Sequence, residues 1–116
     1  MKNKNTKRSR FLDYVVNDAL AGIDGITHRA MFSGYGIYKN GVIFAIIAYS
    51  RLYFKTDRTN QANFEKLGSQ PFTYSQGKSK STTLSYWELP VEIMEDRKKI
   101  KQWVDKSVQI SKRNKK

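Results

Sequence analysis

Apolar residues first recur at three- and four-residue steps, as Leu12, Val15, Val16, Ala19 and Leu20, which is one face of a helix. Ser9 is placed to cap it. Gly22 suits the left-handed stop position, and Ile23 can make the hydrophobic contact after it. The pattern predicts a helix over residues 9–21. The period then changes. Residues 26–32 read as a first strand, and residues 36–39 as a short extended piece. Asn40-Gly41 is the strongest short hairpin signal, because both positions require positive φ. Residues 42–48 are apolar on both faces and rich in β-branched side chains, the composition of a central strand. Tyr49-Ser50 predicts a second tight turn. Residues 51–55 alternate, with Leu52 and Phe54 on one face and Tyr53 on the other.

Asp57 or Thr59 starts a short helix, with Phe64 and Leu67 inward and Gly68 as its stop. Pro71 opens a strand through Phe72 and Tyr74, residues 75–81 form a polar loop, and residues 82–88 form a further strand that Pro90 ends. Val91, Ile93 and Met94 make a brief apolar turn. Asp96 caps the last helix, in which Ile100, Trp103, Val104 and Val108 share a face, with Trp103 packing the helix onto the sheet. Beyond Ile110 the chain is polar and basic and is expected to fray. The order is helix, three or four hairpin-linked strands, helix, two strands, helix. Hairpin linkage means an antiparallel sheet, and the helices can cover one face of it. The fold class is therefore α+β, a two-layer domain with helices at both ends and one inserted.

Composition narrows the setting. A chain of 116 residues is long enough for one core and too short for two. It has no Cys, which excludes a disulfide framework, a thiolate zinc site and a Cys nucleophile. The longest apolar run ends at Tyr49 and is far shorter than the roughly 20 residues of a membrane span. No signal peptide is read at the basic N-terminus. A soluble, cytoplasmic domain with no membrane role is expected.

Charge changes the picture more. The formal net charge is +12, and it is unevenly placed. Residues 1–10 carry Lys2, Lys4, Lys7, Arg8 and Arg10 and no acid. Residues 97–116 carry nine basic groups and only Asp105. The stretch between them holds eight basic and nine acidic groups. A near-neutral body, placed at residues 11–111, is framed by a basic N-terminal arm (residues 1–10) and a basic C-terminal tail (residues 112–116). Such ends read as nucleic-acid or anionic-surface contacts, or as aids to solubility.

Several segments together resemble a known family. They are Ala30-Met31-Phe32-Ser33-Gly34-Tyr35-Gly36-Ile37-Tyr38, Gly41 with its apolar strand, and residues 51–57. Pro71-Phe72-Thr73-Tyr74 and Ser85-Tyr86-Trp87-Glu88-Leu89-Pro90 complete the set. In order and spacing they resemble the TfoX/Sxy N-terminal domain, across about residues 11–108. Met31, Phe32, Gly34, Tyr35, Gly36, Gly41, Tyr86, Trp87 and Pro90 are the motif and structural positions. Ser33, where the family usually has Gly, and Arg97, where it often has Pro, depart from the pattern. The resemblance implies an α+β fold like that of secretion-chaperone-like domains. It also implies a place near DNA-uptake competence, where the best-known members are transcriptional co-activators. Those members carry a second, helical C-terminal domain, and this chain reads as a stand-alone first domain. The family supplies no catalytic residues and no cofactor.

The chemistry-bearing residues agree with a non-enzymatic reading. His28 is the single histidine, with no metal-ligand or triad partners beside it. Gly34-Tyr35-Gly36 lacks the third glycine and the following helix of a dinucleotide loop. Those glycines fit a bulge or a close backbone approach instead. The match of residues 33–40 to an RNA-stacking motif fails at Ser33, Ile37 and Asn40. Tyr35, Tyr38, Tyr53 and Trp87 cannot all be core residues by alternation. They are either amphipathic cover, a protein-partner patch or stacking platforms. Glu88, Glu92, Glu95 and Asp96 read as solvated charge and a cap.

The candidate nucleic-acid contacts are Lys2, Lys4, Lys7, Arg8 and Arg10 at one end. At the other they are Lys98, Lys99, Lys101, Lys106, Lys112, Arg113, Lys115 and Lys116. No base-reading constellation accompanies them, so binding would be nonspecific and salt-dependent. The expected function is a regulatory accessory that touches DNA weakly or meets a DNA-bound transcription regulator. The alternative is a protein–protein interaction module whose basic ends only solubilise. No cofactor or metal is called for, and oligomeric state is not legible.

Overall fold

The computed structural model describes residues 7–31, 34–75 and 81–113, and the side chains of 10–31, 34–73 and 85–113. Phe32, Ser33 and the polar residues 76–80 lie outside the described residues. Helix α1 (Lys7–Tyr14) leads through a π-helical turn (Val15–Ala19) to strands β1 (Ile26–Met31), β2 (Gly34–Lys39), β3 (Val42–Ala48) and β4 (Arg51–Lys55). Helix α2 (Gln61–Lys66), strands β5 (Pro71–Ser75) and β6 (Ser81–Glu88), and helices α3 (Val91–Met94) and α4 (Arg97–Arg113) follow. The six strands form one antiparallel sheet in the order β1-β2-β3-β4-β6-β5. This is the two-layer α+β architecture that the hairpin pattern predicts.

The helices lie against one side of the sheet. Leu12, Val15 and Leu20 of the N-terminal segment, Phe64 of α2, Ile93 of α3 and Ile100 and Val104 of α4 share one buried cluster. Its sheet members are Ile37, Phe44, Ala45, Ile47, Leu52 and Phe54. Phe44 and Phe54 meet edge to face at its centre, centroids 5.4 Å apart, the geometry the ring quadrupole favours. The opposite side carries the row Arg29, Gly36, Ile46, Tyr53 and Glu88, paired strand to strand. No described helix packs its apolar side chains there.

Both predicted turns form. Asn40 and Gly41 have φ of 50° and 83°, and Tyr49 and Ser50 have φ of 53° and 58°. The second turn therefore holds two ordinary side chains in the left-handed region, which costs them energy that Asn-Gly avoids.

The first helix departs from expectation. It begins at Lys7, so Ser9 lies inside it rather than at its cap. It then widens, with the Leu20 N–H donating to the Val15 carbonyl five residues back, the π pattern. That wider turn keeps Val15, Ala19 and Leu20 all buried. The closing bonds of this turn, Ala21 N–H to Asp18 O and Ile23 N–H to Leu20 O, leave no role for a left-handed Gly22. The left-handed residue is Gly25, φ 81°. Its carbonyl accepts the Asn40 N–H at 2.9 Å, so the turn before β1 is hooked onto the β2–β3 turn.

In α2, Phe64 is inward, but Leu67 is 40% exposed. A helix of six residues presents about one inward turn, and Phe64 fills it. Gly68, φ 80°, is the predicted stop. The helix starts after Asn60 because Asp57 builds a turn first: its carboxylate accepts the Thr59 N–H at 2.8 Å and the Thr59 hydroxyl.

Helix α4 is capped as predicted, Asp96 Oδ1 accepting the N–H groups of Lys98 and Lys99 at 3.1 and 3.0 Å. Its rotation differs from expectation. The buried stripe is Ile100, Val104, Ser107 and Ile110. Trp103 is partly buried against the same core, on the side toward α2, where it meets Phe64 with centroids 4.6 Å apart. The helix also continues to Arg113 instead of fraying after Ile110. Ile110 is fully buried, and the Arg113 guanidinium reaches the Asp57 carboxylate at 2.8 Å.

The glycines of β2 mark close packing, as read from the sequence. A Cβ on Gly34 would overlap the Ile47 carbonyl oxygen of the neighbouring strand, whereas one on Gly36 would meet the Met31 methyl end at 2.8 Å. Backbone cannot yield without breaking pairing, but a Met terminus can swing away. Gly34→Ala should therefore lower stability by about 1–3 kcal/mol, and Gly36→Ala should stay within about 1 kcal/mol of wild type, read from urea midpoints. Equal losses would remove the argument.

The Asp57–Arg113 contact gives a second expectation. The Thr59 hydrogen bond, followed by Arg113, holds the Asp57 carboxyl below the usual range. A lowered folded pKa contributes stability above the unfolded value and loses it as pH falls through the folded one. Asp57→Asn keeps the Thr59 acceptor and loses the ion pair. At pH 6 it should speed amide exchange in residues 110–113 and leave β3 protected. The difference from wild type should shrink as pH drops below about 4.

Candidate nucleic-acid interface

The outer surface of α4 is built by exclusion. Ile100, Val104, Ser107 and Ile110 recur at steps of four and three and turn inward. The 3.6-residue period then sends Lys98, Lys101, Asp105, Gln109 and Lys112 outward, and all five are exposed. Lys99 and Lys106, seven residues apart, lie nearly above one another on the flank facing α2, with Trp103 between them. The Ser107 hydroxyl donates to the Lys55 carbonyl at 2.8 Å. That bond pins the rotation of the helix against the end of β4.

The described ion pairs are Arg51–Glu88 at 3.1 Å and Arg113–Asp57 at 2.8 Å. Lys98, Lys99, Lys101, Lys106 and Lys112 thus carry no carboxylate partner among the described residues. Asp105 is the one acid in the helix, so the ridge is strongly positive. Arg113, counted with the other basic ends from sequence, is instead engaged with Asp57. Arg97 lies near Gly22, at the end of the N-terminal helical segment. Arg10 is exposed on α1. Lys7 and Arg8 begin α1, and their side chains lie outside the described residues. Lys2, Lys4, Lys115 and Lys116 also lie outside them.

The aromatic residues divide between the two faces. Tyr35 and Trp87 pack partly buried against the core on the helix side. Tyr38, Tyr53 and Tyr86 belong to the other side. Tyr53 is only 8% exposed and meets Phe72 edge on at 5.0 Å, so it offers no free ring to a ligand. Its hydroxyl pKa is raised by burial and then by Glu88. Tyr86 is likewise raised, by burial foremost, and the Lys55 ammonium lies 5.2 Å from its ring centroid. Among the described tyrosines Tyr49 is the most open, 69% exposed at the β3–β4 turn and tilted against Phe72 at 6.4 Å. The sequence reading treats it as a turn residue only.

His28 is exposed on β1, edge on to Tyr35 at 6.2 Å. Among the described residues no three His, Asp or Glu side chains are grouped to hold a metal ion. No described helix is long and apolar enough to cross a membrane. A cleft of about 370 Å³ opens between α2 and α4, with Trp103, Asn63, Gln102 and Lys106 on its walls. Sequence gives no sign of it, because its two walls are distant in the chain and are brought together in the fold, Phe64 meeting Trp103.

Of the motif positions, Met31 ends β1, Gly34, Tyr35 and Gly36 open β2, Gly41 completes the Asn-Gly turn, Tyr86 and Trp87 lie in β6, and Pro90 precedes α3. These are positions in or beside the sheet. No curated protein is similar enough to match the chain. The model of the TfoX N-terminal domain matches residues 18–111, from the π-helical turn through most of α4. With that span of its 116 residues matched, the chain belongs to the TfoX N-terminal domain family.

Proposed function

We propose that this protein is a non-enzymatic regulatory accessory domain that touches duplex DNA weakly through the cationic ridge of α4 and its basic ends. Membership of the TfoX N-terminal domain family supports a non-enzymatic role in assisting transcription, of the competence kind that the resemblance implies. The observation that carries the DNA contact is the set of five lysines, Lys98, Lys99, Lys101, Lys106 and Lys112, on one sheet-anchored helix, with no carboxylate partner among the described residues. A helix locked by Ser107 cannot roll its charge away from an approaching phosphate backbone. The ridge offers mainly lysines, with Gln109 its one outward amide, so the contact is chiefly with phosphate and carries little sequence preference. A second reading, a protein-docking module, is favoured by Tyr49, held exposed on a turn that its own side chain makes costly.

Each lysine that neutralises a phosphate contributes about −0.9 to the slope of log affinity against log salt. With the ridge and basic ends engaged, a slope of about −5 to −7 is expected. The triple variant Lys98→Gln, Lys101→Gln, Lys112→Gln should flatten it by about 3 and leave the melting temperature near wild type, since all three side chains are exposed. Absence of DNA retardation at about 50 mM salt would overturn the reading. So would an unchanged slope in the triple variant. Binding to a protein partner that Tyr49→Ala abolishes, with no DNA retardation, would establish the second reading instead.

A further inference from the structure

The cleft between α2 and α4 has a chemistry that neither the ridge nor the core requires. Its inner wall is the Trp103 indole, half-buried and steadied edge on by Phe64 at 4.6 Å. Asn60 beneath it is committed to the fold, Oδ1 accepting the Asp57 N–H at 2.9 Å and Nδ2 donating to the Lys55 carbonyl. The amides of Asn63 and Gln102 and the ammonium of Lys106 are different. They line the same cleft and make no described side-chain bond. An aromatic plane, two groups that each both donate and accept, and a cation therefore converge on a space of about 370 Å³. That size lies within the range of small-ligand sites.

We propose that this cleft binds a nucleotide, its base stacked on Trp103 and its phosphate on Lys106. A flat, apolar ring face takes a base of any identity. The carboxamides of Asn63 and Gln102 each offer one acceptor and two donors, the complement of the mixed edge of an unpaired base. In duplex DNA that edge is already paired, so the cleft takes a free nucleotide or an unpaired base in a strand. Lys99 stands one helical turn before Trp103 and Lys106 one turn after it, about 10 Å apart along the axis. A strand crossing here would meet a cation on each side of the stacked base. The inference shares α4 with the proposed DNA ridge and deepens that reading by supplying a place for single-stranded or frayed ends.

The test follows the two indole N–H signals by NMR in the full chain, with Trp103→Phe assigning them. Thymidine monophosphate, a ten-residue thymidine strand and a blunt duplex are titrated separately. The Trp103 signal should move with the monophosphate and the strand, and the Trp87 signal should stay. Asn63→Ala and Gln102→Ala should each weaken monophosphate binding about three- to tenfold without altering the duplex salt slope. Strand binding more than about tenfold tighter than monophosphate identifies a nucleic-acid chain as the source, and equal binding identifies a free nucleotide. The proposal is overturned if neither ligand moves the Trp103 signal, if both indoles shift alike, or if both alanine variants bind as wild type does. Loss of duplex retardation with the Trp103 shift intact would remove the ridge reading and leave the cleft. Duplex retardation with a silent Trp103 would do the reverse.

Discussion

One partly buried hydrogen bond, from the Ser107 hydroxyl to the Lys55 carbonyl, sets what the rest of the molecule presents to solvent. Apolar burial holds α4 to the sheet through Ile100, Val104 and Ile110, but that force has no direction. A hydrogen bond does. With Ser107 fixed, the helix has one rotation, and every outward residue follows from it: the lysine ridge on the solvent side, Trp103 toward α2, and Arg113 within reach of Asp57. The Lys55 carbonyl lies where β4 ends, so the same atom joins the sheet, the Asn60 amide and the last helix.

The sheet explains why such a joint is needed. Phe44, Ile47, Leu52 and Phe54 form a flat apolar surface that no single helix covers. Four helical pieces share the task, and the short ones have little grip of their own. Helix α2 buries Phe64 and little else. Its position depends on the Asp57 turn before it and on Trp103 across from it. The lysine ridge and the α2–α4 cleft are thus two sides of one solution to covering the sheet.

Much of this was legible in the sequence where local chemistry decides. Asn40-Gly41 and Gly68 need positive φ and have it, residues 42–48 form the expected strand, and Asp96 caps α4. The failures lie where a partner distant in sequence decides. The sequence pattern gives no place to Ser107, whose carbonyl partner on β4 is distant in the chain. Gly22 looks like a helix stop, but the π-helical turn moves the left-handed residue to Gly25. Trp103 packs against the core as its stripe position predicts, but its edge-on partner Phe64, on a different helix, is not readable from the local pattern. For the site, counting lysines locates the ridge, since charge is visible in composition. It does not reveal that Arg113 is occupied by Asp57, nor that a cleft exists at all.

The topology has a consequence for how the chain comes off the ribosome. Strands β1 to β4 are joined by tight turns and can pair as soon as they emerge. Their apolar face then has only the N-terminal helical segment as cover, because α4, which closes the rest, follows β5 and β6. The Ser107–Lys55 bond spans 52 residues, which is roughly 3–10 s of synthesis at typical elongation rates. For that interval the nascent protein carries a partly exposed aliphatic and aromatic sheet face. The lysines that follow arrive with the cover itself, so the segment that ends the vulnerable period also brings the charge that keeps the finished surface apart from its neighbours.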